Sequence, residues 1–246
     1  MRNLIFHRLV FAIISIVSFS NAYACLDDKA ILQLKANEEA HLISRNVATM
    51  TDAIEDKLLS VQVKQLDDTC SVTITYRLPD EDIAEANKLL DSNPAKRIML
   101  AGQGYVLPAQ ATLLANAGVN PNPLSIKHQD ILQSADLGRN RASVELLYAT
   151  LAQTRAVISP DNKNTEPWPT SLLDQENSLC ESQYTSDSNQ NACACKIDAI
   201  SKKVSPRQLR YIKYLQNDPY SATTGALATY HDLSEQINFE CKLRKR

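Results

Sequence analysis

The sequence predicts an α+β protein, predominantly helical, with a helix-and-hairpin unit on its N-terminal side and a disulfide-stapled helical module on its C-terminal side. Three observations carry this. Hydrophobic residues make up 44% and charged residues 22% of the 246 residues, the composition of a globular chain rather than a disordered, collagenous or coiled-coil one. Only 5 glycines occur, too few for the many turns of an all-β fold. Two neighbouring segments alternate with period two, while most of the remainder follows helical spacing. The formal net charge of −2 gives no overall attraction to nucleic acid, so no nucleic-acid partner is expected.

Residues 1–24 read as a secretory signal peptide. Arg2 and Arg8 precede an apolar run from Leu9 to Phe19, broken only by Ser15 and Ser18, and Ala22-Tyr23-Ala24 has the small-x-small form of a cleavage site. The run is too short for a membrane span. Cys25 follows the cut directly, as in a bacterial lipoprotein. The third position before it holds Ala22 rather than leucine, however, and lipidation would leave an odd thiol among Cys25, Cys70, Cys180, Cys193, Cys195 and Cys241. Export to the periplasm or medium in soluble form is therefore expected, with a lipoprotein anchored through Cys25 as the alternative. No Asn-x-Ser/Thr acceptor follows the signal, which leans toward bacterial export.

The expected organisation after the signal is an α+β domain over 25–125, a helical extension over 126–158, a linker over 159–179 and a helical, stapled domain over 180–246. Residues 25–125 carry 9 basic and 14 acidic side chains, net −5, whereas residues 180–246 carry 10 and 7, net +3. This asymmetry fits units with different surfaces. A helix is expected from Asp27 to about Arg45, with Ile31, Leu34 and Leu42 among strong helix formers. Leu58–Leu66 and Cys70–Leu78 alternate apolar and polar residues around Asp67-Asp68 and predict a β-hairpin. Asp80–Leu90 is helical, with acids in its first turn to suit the helix dipole. Lys96–Leu100 reads as a third strand ended by Gly102 and Gly104. Ala109–Ala117 reads as a helix capped at Gly118. After a turn at Asn120–Pro123, helices are expected over 127–137 and 141–158, separated by Gly138. In the second, Val144, Leu147, Leu151 and Ile158 form one stripe.

The 159–179 linker contains Pro160, Pro167 and Pro169 and the only tryptophan, Trp168. Trp168 reads either as a binding anchor or, as expected here, as a pin holding the linker to a domain surface. In the last unit Cys193, Ile197, Ile200 and Val204 share a helical face. Ser205-Pro206-Arg207-Gln208 forms a capping box with proline at the first helical position. It opens a helix carrying Leu209, Ile212 and Leu215, and Asp218-Pro219 ends that helix. A last helix carries Leu227, Tyr230, Leu233, Ile237 and Cys241. In an oxidising compartment the cysteines read as disulfides. Cys25 is expected to pair with Cys70. The stripes turn Cys193 and Cys241 inward, which predicts a Cys193–Cys241 bridge and leaves Cys180–Cys195, with the swapped pairing as the alternative.

Chemical motifs are weak throughout. Asp187-Ser188-Asn189-Gln190-Asn191 opens like a calcium loop with Asp198 at its twelfth position, but Ala192 replaces the turn glycine, Cys193 holds the seventh position and Asp198 is short for a bidentate ligand. Four thiolates from Cys180, Cys193, Cys195 and Cys241 have the makings of a zinc site, which disulfides pre-empt. His41, His128 and His231 fit no catalytic motif, and the His128/Asp130 and His231/Asp232 neighbours do not face one another on a helix. Glu81 and Glu85 share a helix face that reads as solvated. Gly102-Gln103-Gly104 is an incomplete nucleotide fingerprint. No catalytic residue, metal or cofactor is assigned.

The expected function is therefore that of an exported, non-enzymatic protein that binds a protein partner, such as an inhibitor, an immunity protein or an envelope accessory factor. A small exported hydrolase acting on cell-wall or envelope polymer is the rival, and a structural lipoprotein the third reading. Candidate contacts are Trp168, the basic face of Arg207, Arg210 and Lys213, and the tail Lys242, Arg244, Lys245 and Arg246. The tail reads either as a helix end favouring cations or as a contact for an anionic membrane.

Overall fold

The computed structural model describes residues 26–45, 51, 53–55, 57–66, 71–118, 134–186, 191–217 and 225–246. Cys25, Cys70, His128, the 127–133 helical stretch and the start of the calcium-like loop lie outside them. Helix α1 (Asp28–Arg45) opens where Asp27 Oδ1 accepts the Ala30 N–H at 2.7 Å. Strands β1 (Ser60–Gln65) and β2 (Ser71–Arg77) pair antiparallel, with Val61 opposite Tyr76 and Val63 opposite Ile74. The alternation read from the sequence is thus the hairpin of the structure. Its buried face takes Val61, Val72, Ile74 and Tyr76, and α1 packs against it.

Helix α2 (Asp80–Asp91) follows, then two elements whose types are the reverse of those expected. Pro94–Gly102 is helix α3, not a strand. Asn93 caps it by accepting the Lys96 N–H at 3.2 Å, and Pro94 stands at its first turn, a helix start that outweighs the short apolar run. Thr112–Gly118 is strand β3, not a helix. It completes an antiparallel sheet of order β1-β2-β3, with Ala115 opposite Ile74 and Ala117 opposite Val72. Pairing with the open edge of β2 overrides the helix preference of an alanine- and leucine-rich segment. Gly138 does not interrupt a helix either. Helix α4 runs unbroken over Ala135–Arg155, with Ser134 Oγ accepting the Leu137 N–H at 3.0 Å.

The C-terminal part holds α5 (Thr170–Gln183), β4 (Tyr184–Ser186), α6 (Ala192–Ser201), α7 (Pro206–Asn217), α8 (Gly225–Glu240) and β5 (Leu243–Lys245), with β4 and β5 antiparallel. Only 159–169 of the expected linker is irregular, and it is strapped down. Asn162 Nδ2 donates to Lys203 O and Asn164 Nδ2 to Ser201 O, both at 2.7 Å. The Ser205 cap is present, its Oγ accepting the Gln208 N–H at 3.1 Å, while the Gln208 side chain donates to Val157 O instead of closing a reciprocal box.

The bridges among the described residues are Cys180–Cys193 and Cys195–Cys241, the swapped pairing given as the alternative; they correct the Cys193–Cys241 and Cys180–Cys195 expectation and exclude a four-thiolate zinc site. The reason is angular. Cys193 and Cys195 lie two residues apart on α6, so they point about 200° apart around the helix. One reaches α5 and the other the end of α8. In the chain-entropy account the 46-residue closure is worth about 4 kcal/mol and the 13-residue closure about 3. The paired variant C195S/C241S is therefore expected to lose more stability in urea than C180S/C193S. Equal losses would show that loop length does not govern the effect.

Among the described residues two apolar cores result, one from Leu26 to Leu151 and one from Ala152 to Leu243, and α4 supplies residues to both. It is accordingly buried on more than the single stripe expected, including Leu137, Val144, Leu146, Leu147, Tyr148 and Leu151. Charged contacts fix each end. Near its start, Arg141 Nε donates to Glu38 Oε1 at 2.8 Å and Nη2 pairs with Oε2, while Tyr76 OH donates to the same carboxylate at 2.5 Å. At its end, Arg155 Nη2 meets Asp82 Oδ1 at 2.5 Å and Glu85 Oε2 at 2.9 Å on α2, and Nη1 meets the Tyr211 hydroxyl on α7 at 3.2 Å. Arg155→Met leaves the buried Asp82 carboxylate without its cation, so a loss of about 3–5 kcal/mol is expected in urea unfolding. Adding Asp82→Asn is expected to restore part of it, because no charge then stays buried. A loss under about 1 kcal/mol would place the clasp among weak surface pairs.

Candidate functional site

The structure distributes the expected contact residues. Trp168 is buried, and its Nε1 donates to Val204 O at 2.7 Å. It is the pin and not an exposed anchor. The Arg207–Lys213 face is largely taken up internally. Arg210 pairs with Glu55 at 2.7 Å, and Lys213 pairs with Glu176 of α5. Arg207 lines a shallow groove beside Arg155 and Asn162. The tail does not end a helix. Leu243–Lys245 is strand β5, closed by Arg246 N–H donating to Gln183 O at 3.0 Å, with Lys242, Arg244, Lys245 and Arg246 exposed. Asp198 pairs with Lys202 at 2.6 Å on the surface of α6. Among the described residues no cluster of His, Cys, Asp or Glu has the make-up of a metal site, and no described helix is long and apolar enough to cross a membrane.

One cavity among the described residues has no counterpart in the sequence analysis. It lies in the C-terminal module, has a volume of about 690 Å³ and opens between α5, α6, α7, α8 and β5. Trp168, Ile197, Leu209 and Leu227 give it an apolar wall. Its polar side holds Lys196, the Glu176–Lys213 pair, Tyr230, His231 and Asn238. His231 is exposed at the rim, its ring 6.3 Å from that of Tyr230.

Four charged side chains are buried among the described residues: Glu38, Asp82, Glu176 and Lys196. Each of the three acids has a cation, namely Arg141, Arg155 and Lys213. Lys196, 7% exposed, has no carboxylate partner among the described residues. Its Nζ lies over the Tyr184 ring, 4.1 Å from the centroid. A cation–π contact is worth about 0.5–2 kcal/mol, less than the several kcal/mol that burying an ammonium costs. Asn238 Nδ2 approaches the Tyr184 hydroxyl at 3.4 Å, while its Oδ1 is buried without a partner. A signal for Lys196 exists in the sequence: it falls three residues after Cys193 and four before Ile200, on the inward stripe.

A second feature lies on the N-terminal unit. No residue of α3 is buried. From Arg97 to Val106 every residue except Leu100 is exposed, including Ile98, Met99, Tyr105 and Val106. Leu100 alone packs partly on the core. The chain leaves α3 through Gly104, whose φ of 85° lies in the left-handed region that glycine adopts without strain.

Several phenols are held neutral beyond their ordinary range. Burial, then the Glu38 carboxylate, pushes Tyr76 up. Burial, then Asp82, does the same to Tyr148. Burial, then Glu176, pushes Tyr230 up to about 12. The folded state thus keeps protons that the unfolded chain releases above about pH 10. The resulting stability is complete below that pH and falls as pH rises, by about 1.4 kcal/mol per pH unit for each such tyrosine, and the Tyr230 share ends near pH 12. Urea unfolding across this window is expected to show that slope, shallower by one proton in Tyr230→Phe. A flat profile would refute it.

The two bridges fit a protein of an oxidising, non-cytoplasmic compartment. No protein-family model matches the chain, and comparison with curated proteins and with solved structures gave no match either.

Proposed function

We propose that this chain is an exported, periplasmic protein that acts by binding another protein, and that α3 with the segment following it is the contact surface. The observation that carries this reading is the exposure of Ile98, Met99, Tyr105 and Val106 on one short stretch. Exposed apolar clusters of this kind mark interaction sites. The partner we propose presents an apolar cleft and is a different protein, because the surrounding unit has a net charge of −5 and repels a second copy of itself. The exposed cations of the chain end draw the same protein toward anionic surfaces.

The experiment places a photo-reactive residue at 99 or 106 in the exported protein and, as a control, at the exposed position 202 just past α6. A discrete heteromeric adduct is expected at the first two positions only. The captured protein, once purified, is expected to bind the wild-type chain at least about tenfold more tightly than Ile98→Asp, a variant at an exposed position that leaves the urea midpoint unchanged. Adducts made only with itself, no adduct, or equal binding of Ile98→Asp would overturn the proposal.

A further inference from the structure

Lys196 sets the chemistry of the C-terminal cavity. Its ammonium is buried, lines the cavity and faces an aromatic ring instead of a carboxylate. Of the two acids that line the cavity, Glu176 is already paired with Lys213 and Glu235 is exposed. The Tyr230 phenol also lines the space, has no hydrogen-bond partner among the described residues, and stays protonated, its pKa pushed up to about 12 by burial. A buried ammonium without a carboxylate partner, in a cavity that also holds a neutral O–H donor, suits an anionic head group; the other lysines of the lining are Lys213, paired with Glu176, and the exposed Lys245. Among the described residues no arginine lines the cavity, and bidentate recognition of phosphate is arginine's speciality. The apolar part of the lining, Trp168, Ile197, Leu209 and Leu227, accepts hydrocarbon. A volume of about 690 Å³ lies in the range of pockets that enclose small ligands.

We infer that this cavity binds a small amphipathic carboxylate, with its head on Lys196 and its apolar body against the Trp168 wall. The site is separate from the α3 surface and does not rest on the protein-binding proposal, so each can fail alone. Ligand entry neutralises a charge that the fold leaves without a counter-ion, so the carboxylate, not the hydrocarbon, discriminates.

Trp168 is the only tryptophan in the chain, so its emission reports on the cavity directly. The full-length oxidised protein is titrated with sodium dodecanoate below its micelle concentration, with dodecanol as the neutral match. A saturable change is expected with the acid, at an affinity at least about tenfold above that for the alcohol. Lys196→Met is expected to remove this preference while holding or raising the urea midpoint, since methionine fills similar space without charge. Lys196→Arg is expected to keep part of it, and Ile98→Asp on α3 all of it. Equal binding of acid and alcohol by the wild-type chain overturns the inference without recourse to any variant. So does no saturable change, undiminished preference in Lys196→Met, or tighter binding of a leucine-terminated peptide than of dodecanoate.

Discussion

The structure depends on one helix belonging to two cores. α4 gives Leu147 and Leu151 to the N-terminal cluster, and the next residue, Ala152, to the C-terminal one. Such a helix has no solvent face along much of its length, so hydrophobicity alone does not fix its rotation or its slide along the axis. The arginines supply that information. Arg141 is tied to Glu38 of α1, and Arg155 is tied at once to α2 and α7. Directional, charge-assisted bonds tolerate little displacement, so each arginine sets a register that packing leaves open. The arrangement is not the most stable one available, because burying ions costs desolvation that apolar side chains avoid. Its contribution is to relate two cores that contact each other through few elements.

How much of this was legible in the sequence follows from how local each signal is. The hairpin was legible because alternation over Leu58–Leu78 is a property of the strands themselves. The α7 start was legible because Ser205 and Pro206 act on the backbone beside them. The exchange of α3 and β3 was not. Residues 96–100 are too few for periodicity to decide, and the deciding signal, Asn93-Pro94, sits outside the run. Residues 112–118 prefer helix by composition and become strand only because β2 offers an unpaired edge more than thirty residues away in sequence. The disulfide connectivity failed for a related reason. Stripe analysis assigns an inward or outward sense, whereas α6 is flanked on two sides and turns Cys193 and Cys195 to different neighbours.

The buried charges were the least legible feature. Glu38 sits between Leu34 and Leu42 at helical spacing, and all three are fully buried. In composition it counts as one more acid on a helix rich in them. Its partners, Tyr76 and Arg141, lie 38 and 103 residues away, and only the tertiary structure brings them together. A polar residue on an otherwise apolar stripe is nevertheless a usable sign, because the fold must give it a partner or leave it costly.

That rule separates Lys196 from its counterparts. Glu38, Asp82 and Glu176 each break an apolar surface and each meets a cation, so the fold accounts for them. Lys196 breaks the inward face of α6 and meets the Tyr184 ring. The ring offsets part of the burial, but methionine at that position fits the same space, keeps contact with the ring and carries no charge to desolvate. Stability therefore does not explain a lysine there. The charge faces a cavity that has one apolar wall, of Trp168, Ile197, Leu209 and Leu227, and gives it no carboxylate partner among the described residues. An anion entering that cavity is the one event that turns the cost of Lys196 into a favourable term, whereas filling the cavity with hydrocarbon alone increases that cost.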